Sequence, residues 1–309
     1  MSKRMTGVLS PVVTPFRSDG SPDAVRFERQ CRWLLANNVG LAVFGTNSEA
    51  NSLSADERMK LLDHLVAAGL DPARMMPGTG CCSLTDSVRL SAHAVKLGCA
   101  GVLMLPPFYY KGVSDEGLYR NYAEIIDRVA DERLQIYLYH IPPVSQVPIS
   151  LGLIERLLKN HPRNTAGIKD SSGDWNNTRA VLDAFAGQGF HVFAGSESFL
   201  LANMRNGGAG CISATANVNP APIHKLFAEW KNADADAQQA ALNVIRNDFQ
   251  KLPMIPALKA AVAHWSGDAD WGRVRPPLVE LTAQQTGELV ATLKGHGFSM
   301  PGLAAATNA

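Results

Sequence analysis

The chain has 309 residues, 46% hydrophobic and 18% charged, with 29 basic against 28 acidic side chains. An apolar fraction near one half suits a chain that builds a sizeable core, and it excludes a disordered or collagen-like protein. A formal charge of +1 supplies no chain-wide attraction for nucleic acid or an acidic membrane, and no run approaches the roughly 18 apolar residues of a membrane span, so neither partner is expected.

At the start, Lys3 and Arg4 precede an apolar run, but Pro11 and Pro15 interrupt it before it could act as a signal-peptide core, which predicts a cytoplasmic protein. Short apolar, β-branched runs then alternate with stretches of helical periodicity. Strands are expected at residues 8–13, 41–44, 75–78, 101–105, 134–139, 166–169, 191–194 and 210–213. Helices are expected between them at 23–37, 54–68, 84–97, 116–130, 151–160, 175–185 and 198–206. Ser54 stands three residues before Glu57, a capping-box spacing, and Gly40, Gly69, Gly98 and Gly208 stand where helices end.

Near-continuous apolar runs such as 101–105 are the mark of parallel strands covered on both faces, with crossover helices as the cover. Eight such units predict an α/β fold of the closed (β/α)8 TIM-barrel type. An open doubly wound sheet is the competing architecture, but residues 11–15 hold no glycine-rich dinucleotide turn. After about Asn219 the pattern is purely helical, at 223–230, 235–251, 256–265 and 283–295. The expected organisation is a barrel over 1–218 and a helical extension over 219–309 packed on it, since no flexible linker intervenes.

In a parallel barrel the loops that follow the strands gather on one face, so polar residues at strand C-terminal ends are the candidates. Lys169 ends the apolar run Ala166-Gly167-Ile168. Removing an amine from water favours its neutral form, which can attack a carbonyl and form a Schiff base; a lysine paired with Asp170 in a loop would read the same way. Tyr139 and Tyr137 share one strand face, and a phenol beside an amine can pass protons, although a core tyrosine with a satisfied hydroxyl is the plainer reading. Gly45-Thr46-Asn47-Ser48-Glu49 ends a strand and opens a helix, where backbone amides could take a carboxylate or could simply form a turn. The glycine-rich run 206–210 precedes a strand and reads as a tight turn at the opposite end. Five cysteines without a C-x-x-C pair read as reduced thiols, and scattered histidines without a spaced carboxylate argue against a metal site.

These segments, in their order, resemble the dihydrodipicolinate synthase and N-acetylneuraminate lyase family of class I, pyruvate-handling lyases: residues 11–16, 45–49, 106–110, 139–142, 167–173 and 210–217. The resemblance implies a barrel with C-terminal helices, assembled as a homotetramer of two tight dimers. It implies the catalytic roles too. Lys169 matches the Schiff-base lysine, Tyr139 the proton-shuttling tyrosine, Thr46 the first threonine of the usual Gly-Thr-Thr-Gly-Glu segment, and Tyr109 a tyrosine that reaches into a neighbouring subunit's site. Substrate contacts are implied for Thr46, Asn47, Ser171, Gly195, Ser196, Glu197 and Ile212. The covalent imine needs no metal and no organic cofactor.

Departures narrow the substrate. Asn47 and Ser48 stand where the family usually has threonine and glycine. The arginine with which dihydrodipicolinate synthases grip the second substrate's carboxylate falls at Val144, which offers none of its donors. Glu197 resembles the acidic position that sugar-acid lyases turn toward substrate hydroxyls, and Ser171 falls where relatives often carry another hydroxyl; both could equally cap loops. The expected activity is therefore cleavage or condensation of a sugar-acid-like 2-oxo acid derived from pyruvate. The alternatives are dihydrodipicolinate synthesis, a dehydratase using the same imine, and a keto-acid sensor without turnover.

Overall fold

A computed structural model describes residues 4–304. Among them lie seven strands: β1 Gly7–Ser10, β2 Gly40–Leu41, β3 Val102–Met104, β4 Ile136–His140, β5 Thr165–Asp170, β6 His191–Ala194 and β7 Gly210–Ile212. The helices are α1 Ala24–Ala36, α2 Ala55–Ala67, α3 Leu84–Leu97, α4 Asp115–Val129, α5 Pro142–Ser145, α6 Leu151–Asn160, α7 Trp175–Phe185, α8 Leu200–Arg205, α9 Pro220–Glu229, α10 Ala235–Gln250, α11 Met254–Ser266 and α12 Ala283–Gly295. The chain divides into two compact units. Of the described residues, one takes 4–7 together with Asp71–Ile212, and the other takes Val8–Leu70 together with 213–304.

In the first unit β3 to β7 are hydrogen-bonded in chain order and all parallel, with α4, α6, α7 and α8 among the intervening helices and α3 leading into β3. Every residue of β3, β4, β5 and β7 is buried, as strands covered on both faces require. The strand expected at 75–78 is not regular. Only Gly78 bridges to Leu103, although Met75 and Pro77 accept amides from Ala100 and Leu103, because Pro77 has no N–H with which to continue a ladder. The helices begin where side chains cap them: Ser83, Ser114 and Ser150 each accept an amide from the first turn.

Tyr137 fixes the spacing inside this sheet. Its ring packs edge-on against Phe193, 5.7 Å between centroids, and a β-carbon added at Gly101 or Gly167 would come within 3.0 Å of that ring. At Gly167 the same carbon would also stand 2.2 Å from the carbonyl oxygen of His191 on β6. We expect Gly167→Ala to destabilise the protein by about 1–3 kcal/mol, the usual cost of overpacking, read as a lower denaturant midpoint at unchanged slope.

In the second unit β1 pairs with β2 in parallel, Leu9 opposite Gly40 and Ser10 opposite Leu41. The strand expected over 41–44 is short because Phe44 adopts a left-handed backbone, φ 62°, which turns the chain out of the ladder. α2 starts with the capping box expected of Ser54 and Glu57. The predominantly helical segment from α9 to α12 belongs to this unit, and Trp33 of α1 donates its indole N–H to the carbonyl of Pro301 at 2.9 Å. No helix among the described residues is long and apolar enough to cross a membrane.

Candidate active site

Lys169 is the next-to-last residue of β5, directly beside Tyr139 of β4 in the parallel register. It is only 2% exposed, so it is not a surface lysine, and its Nζ lies 4.1 Å from the centroid of the Tyr139 ring. The negative face of that ring is a favourable neighbour for a lysine side chain. Asp170 does not sit in a loop beside this lysine. It closes β5, and its carboxylate accepts the Ser172 amide at 2.8 Å, Asn177 Nδ2 at 2.9 Å and Thr178 Oγ1 at 2.7 Å, which ties the strand end to the start of α7.

The two tyrosines separate by level. Tyr137 is fully buried and its hydroxyl accepts the amide of Met5 at 2.9 Å; burial pushes its pKa up to about 12, so it is a structural phenol. Tyr139, one level nearer the strand end and also buried, faces the amine. Its neighbour His140 accepts the Ile149 amide on Nδ1 at 3.0 Å, which leaves the ring proton on Nε2. Burial lowers its pKa, against the pull of Asp170. His140 is thus a neutral, backbone-anchoring residue.

The loops after β5 and β6 meet. Gly195 donates its amide to the carbonyl of Asp170 at 2.7 Å, and a β-carbon at Gly195 would lie 2.0 Å from Ser171 Oγ, so glycine is required for this approach. Lys169, Tyr139, Ser171 and Gly195 therefore form one cluster. Ser196 caps the short turn Glu197–Phe199 by accepting the Ser198 amide at 3.2 Å, and Glu197 itself is 1% exposed, a burial far beyond that of an ordinary loop-capping acid. Ile212 closes β7, fully buried.

Tyr109 stands apart from that cluster, 73% exposed and edge-on to Tyr110 with centroids 5.4 Å apart. Its loop is pinned by Lys111, whose ammonium bonds the carbonyls of Phe108 and Ser145, the latter at 2.8 Å. Val144, in the arginine position, is exposed on the short helix α5.

Thr46 and Asn47 belong to the second unit, half-buried in a single 3-10 turn, Thr46–Ser48. Ser48 shapes that turn. Its hydroxyl accepts the Gly45 amide at 3.2 Å, and its carbonyl accepts Thr14 Oγ1 at 2.7 Å. The serine that departs from the usual glycine is thereby a structural member of the loop. Sequence reasoning passed over Lys259, a single charged residue in the apolar run 256–262, although that isolation was a visible signal. No cluster of three or more His, Cys, Asp or Glu that could hold a metal ion occurs among the described residues.

Residues 4–296 match the dihydrodipicolinate synthetase family. The chain belongs to this family. Its enzymes are class I lyases that work through a Schiff base, and this member is a lyase of that type. An uncharacterized DapA-like lyase of Chloroflexus aurantiacus is 34% identical over 289 residues, 92% of this chain and 95% of the relative. Among solved structures, dihydrodipicolinate synthase from Agrobacterium tumefaciens aligns with a TM-score of 0.86 at 29% identity, covering 94% of this chain and 99% of that one. YagE, a prophage protein of the family from E. coli K12 solved with pyruvate, aligns with the same TM-score at 27% identity over 95% and 99%. The fold class of this dihydrodipicolinate synthetase family member is accordingly α/β, the (β/α)8 barrel with C-terminal helices.

Proposed function

We propose that this protein cleaves or condenses a sugar-acid-like 2-oxo acid through an imine on Lys169. In the cleavage direction the amine adds to the ketone and water leaves, giving a protonated imine. The substrate's C4 hydroxyl gives up its proton, the C3–C4 bond breaks to release an aldehyde, and the electron pair passes into the iminium as an enamine. Protonation of the enamine carbon and hydrolysis then return pyruvate and the free lysine. Tyr139 moves the protons. The amides and hydroxyl of Thr46 and Asn47 take the carboxylate, Ser171, Gly195 and Ser196 line the way to the substrate's hydroxyls, and Ile212 supplies apolar wall. Tyr109, so exposed in one protomer, supports the reading that neighbouring copies cover it in a homotetramer built from tight dimers.

The observation that carries the substrate class is Glu197. A carboxylate buried to 1% exposure, two residues beyond the glycine that touches the Lys169 strand end, is suited to accept hydrogen bonds from hydroxyls that water does not reach. Val144 offers the second carboxylate of a dihydrodipicolinate synthase no donor, which weighs against that activity even though Tyr109, Thr46 and Tyr139, which match the family's relay residues, occur in the sequence.

The deciding experiment is a panel of 2-oxo acids assayed for pyruvate release, beside condensation of pyruvate with aspartate semialdehyde. Release from hydroxylated six- and seven-carbon acids is expected; turnover of aspartate semialdehyde alone would overturn the substrate assignment. Glu197→Gln should reduce the preference for hydroxylated over unhydroxylated aldehyde partners about tenfold, since exchanging a charged acceptor for a neutral one weakens each hydroxyl contact. Unchanged discrimination would remove Glu197 from substrate recognition.

A further inference from the structure

The turn that carries Thr46 and Asn47 ends on Glu49, which holds a left-handed backbone, φ 55° and ψ 34°. A non-glycine residue stays there when its surroundings enforce it. Here the enforcement comes from the far end of the same unit. The Glu49 carboxylate is fully buried; Oε1 accepts Lys259 Nζ from α11, 210 residues away, and Oε2 accepts the Arg275 amide at 2.9 Å. Lys259 is equally buried, donates also to the Arg273 carbonyl at 2.6 Å, and lies 4.3 Å from the centroid of the Phe16 ring. Burial lowers its pKa to about 8, with Glu49 opposing the fall.

Arg275 completes the brace. Its guanidinium donates to the carbonyls of Ser52 at 2.6 Å and Gly20 at 2.8 Å, pairs with Glu57 at the start of α2, and also covers Phe16. Residues 45–57 are thus clasped from 259–275 by two cations stacked on one ring. The arrangement has an electrostatic side as well as a geometric one. An unpaired buried carboxylate three residues from Thr46 would repel an anionic substrate, because the low-dielectric surroundings screen it poorly.

We propose that Lys259 is a positioning residue for the substrate's carboxylate: through Glu49 it sets the course of the Thr46–Asn47 backbone and cancels the charge that would repel a 2-oxo acid. The inference rests on the carboxylate-binding role given above to Thr46 and Asn47. An ion pair that served only to hold the fold together would change stability and leave pyruvate binding alone.

The test uses the whole protein. Wild type, Lys259→Met and the double variant Lys259→Met/Glu49→Gln are titrated with pyruvate under borohydride, and the concentration that half-saturates trapping on Lys169 is read. Acetone, which lacks the carboxylate, is trapped in parallel. For Lys259→Met the half-saturating pyruvate concentration is expected to rise about tenfold or more, the scale of loss when a binding group is misplaced or repelled. Removing the second charge should recover most of that loss, and acetone trapping should change less than about twofold. A folded Lys259→Met protein that half-saturates within about twofold of wild type, or that loses acetone trapping in proportion, overturns the positioning role. Should this variant not fold, Lys259→Gln, which still donates to Glu49 without the charge, is held to the same limits. If wild type itself traps no pyruvate, the imine reading falls and takes the inference with it; if wild type traps and only the Lys259 variants are indifferent, the imine reading stands alone.

Discussion

Lys169→Ala is expected to lower turnover by at least about a thousandfold and to abolish borohydride trapping, because the nucleophile that forms the imine is gone and nothing else in the cluster can replace it. The geometry makes this an informative substitution. Lys169 lies on a strand buried from end to end, beside Tyr139 in register, and the strand end is held independently by the three donors on Asp170. Shortening the side chain leaves those backbone and carboxylate bonds in place, so folding should survive. Lys169→Arg is the sharper companion. It keeps a cation near the Tyr139 ring, but a guanidinium is not deprotonated in proteins and forms no such imine, so it should be as inactive as the alanine variant. Mass spectrometry of the reduced protein after exposure to pyruvate checks both. An adduct of undiminished yield in either variant, or one mapped to another lysine of the wild type, would exclude Lys169 as the nucleophile.

Tyr139→Phe should lower turnover by about a hundredfold or more, within the range that positioned proton transfer contributes. The ring that packs over Lys169 is retained and only the hydroxyl is lost, so stability should move by no more than about 1 kcal/mol, the net worth of a hydrogen bond. The two variants differ in how they fail. Without Lys169 no adduct forms at any time, whereas without the Tyr139 hydroxyl the adduct should reach the wild-type final level slowly, since the amine persists and only the proton movements in imine formation are impaired. Single-turnover trapping against time separates the two. Trapping at the wild-type rate together with near-normal turnover would take Tyr139 out of the proton path. Tyr137→Phe is the control: its hydroxyl accepts the Met5 amide at a different level of the same strand, so its loss should affect stability and not the rate of trapping.

Much of the fold could be read along the chain. The continuous apolar runs at β3, β4 and β5 could bury both faces only in a covered parallel sheet, and Ser54, three residues before Glu57, announced where α2 begins. The proposed catalytic pair, Lys169 and Tyr139, was legible for a related reason. A lysine and a tyrosine each stand one residue before the end of an apolar strand, β5 and β4, on the side of a parallel barrel where the loops that carry sites gather.

Other features were invisible at that level because they depend on approach in space. Pro77 reduced an expected strand to one bridge, and Phe44 cut another to two residues, since hydrogen-bond registry depends on donors and torsions that hydrophobic periodicity does not encode. Asp170 reads as the natural partner of the adjacent Lys169, yet its three donors are Ser172, Asn177 and Thr178. Adjacent residues on a strand point to opposite faces, so sequence neighbours are poor candidates for side-chain pairs.

Composition and periodicity were enough to predict the α/β class and the parallel strands, because these follow from local rules repeated along the chain; the residue types at strand ends marked an amine and a phenol as candidates, and their proposed roles came from the family resemblance. Folding alone decided that Glu49 meets Lys259, that Gly195 meets Ser171 and that Glu197 is sealed from water. Those are contacts between segments remote in sequence or between loops, and no local propensity carries information about which distant group will neutralise a buried charge.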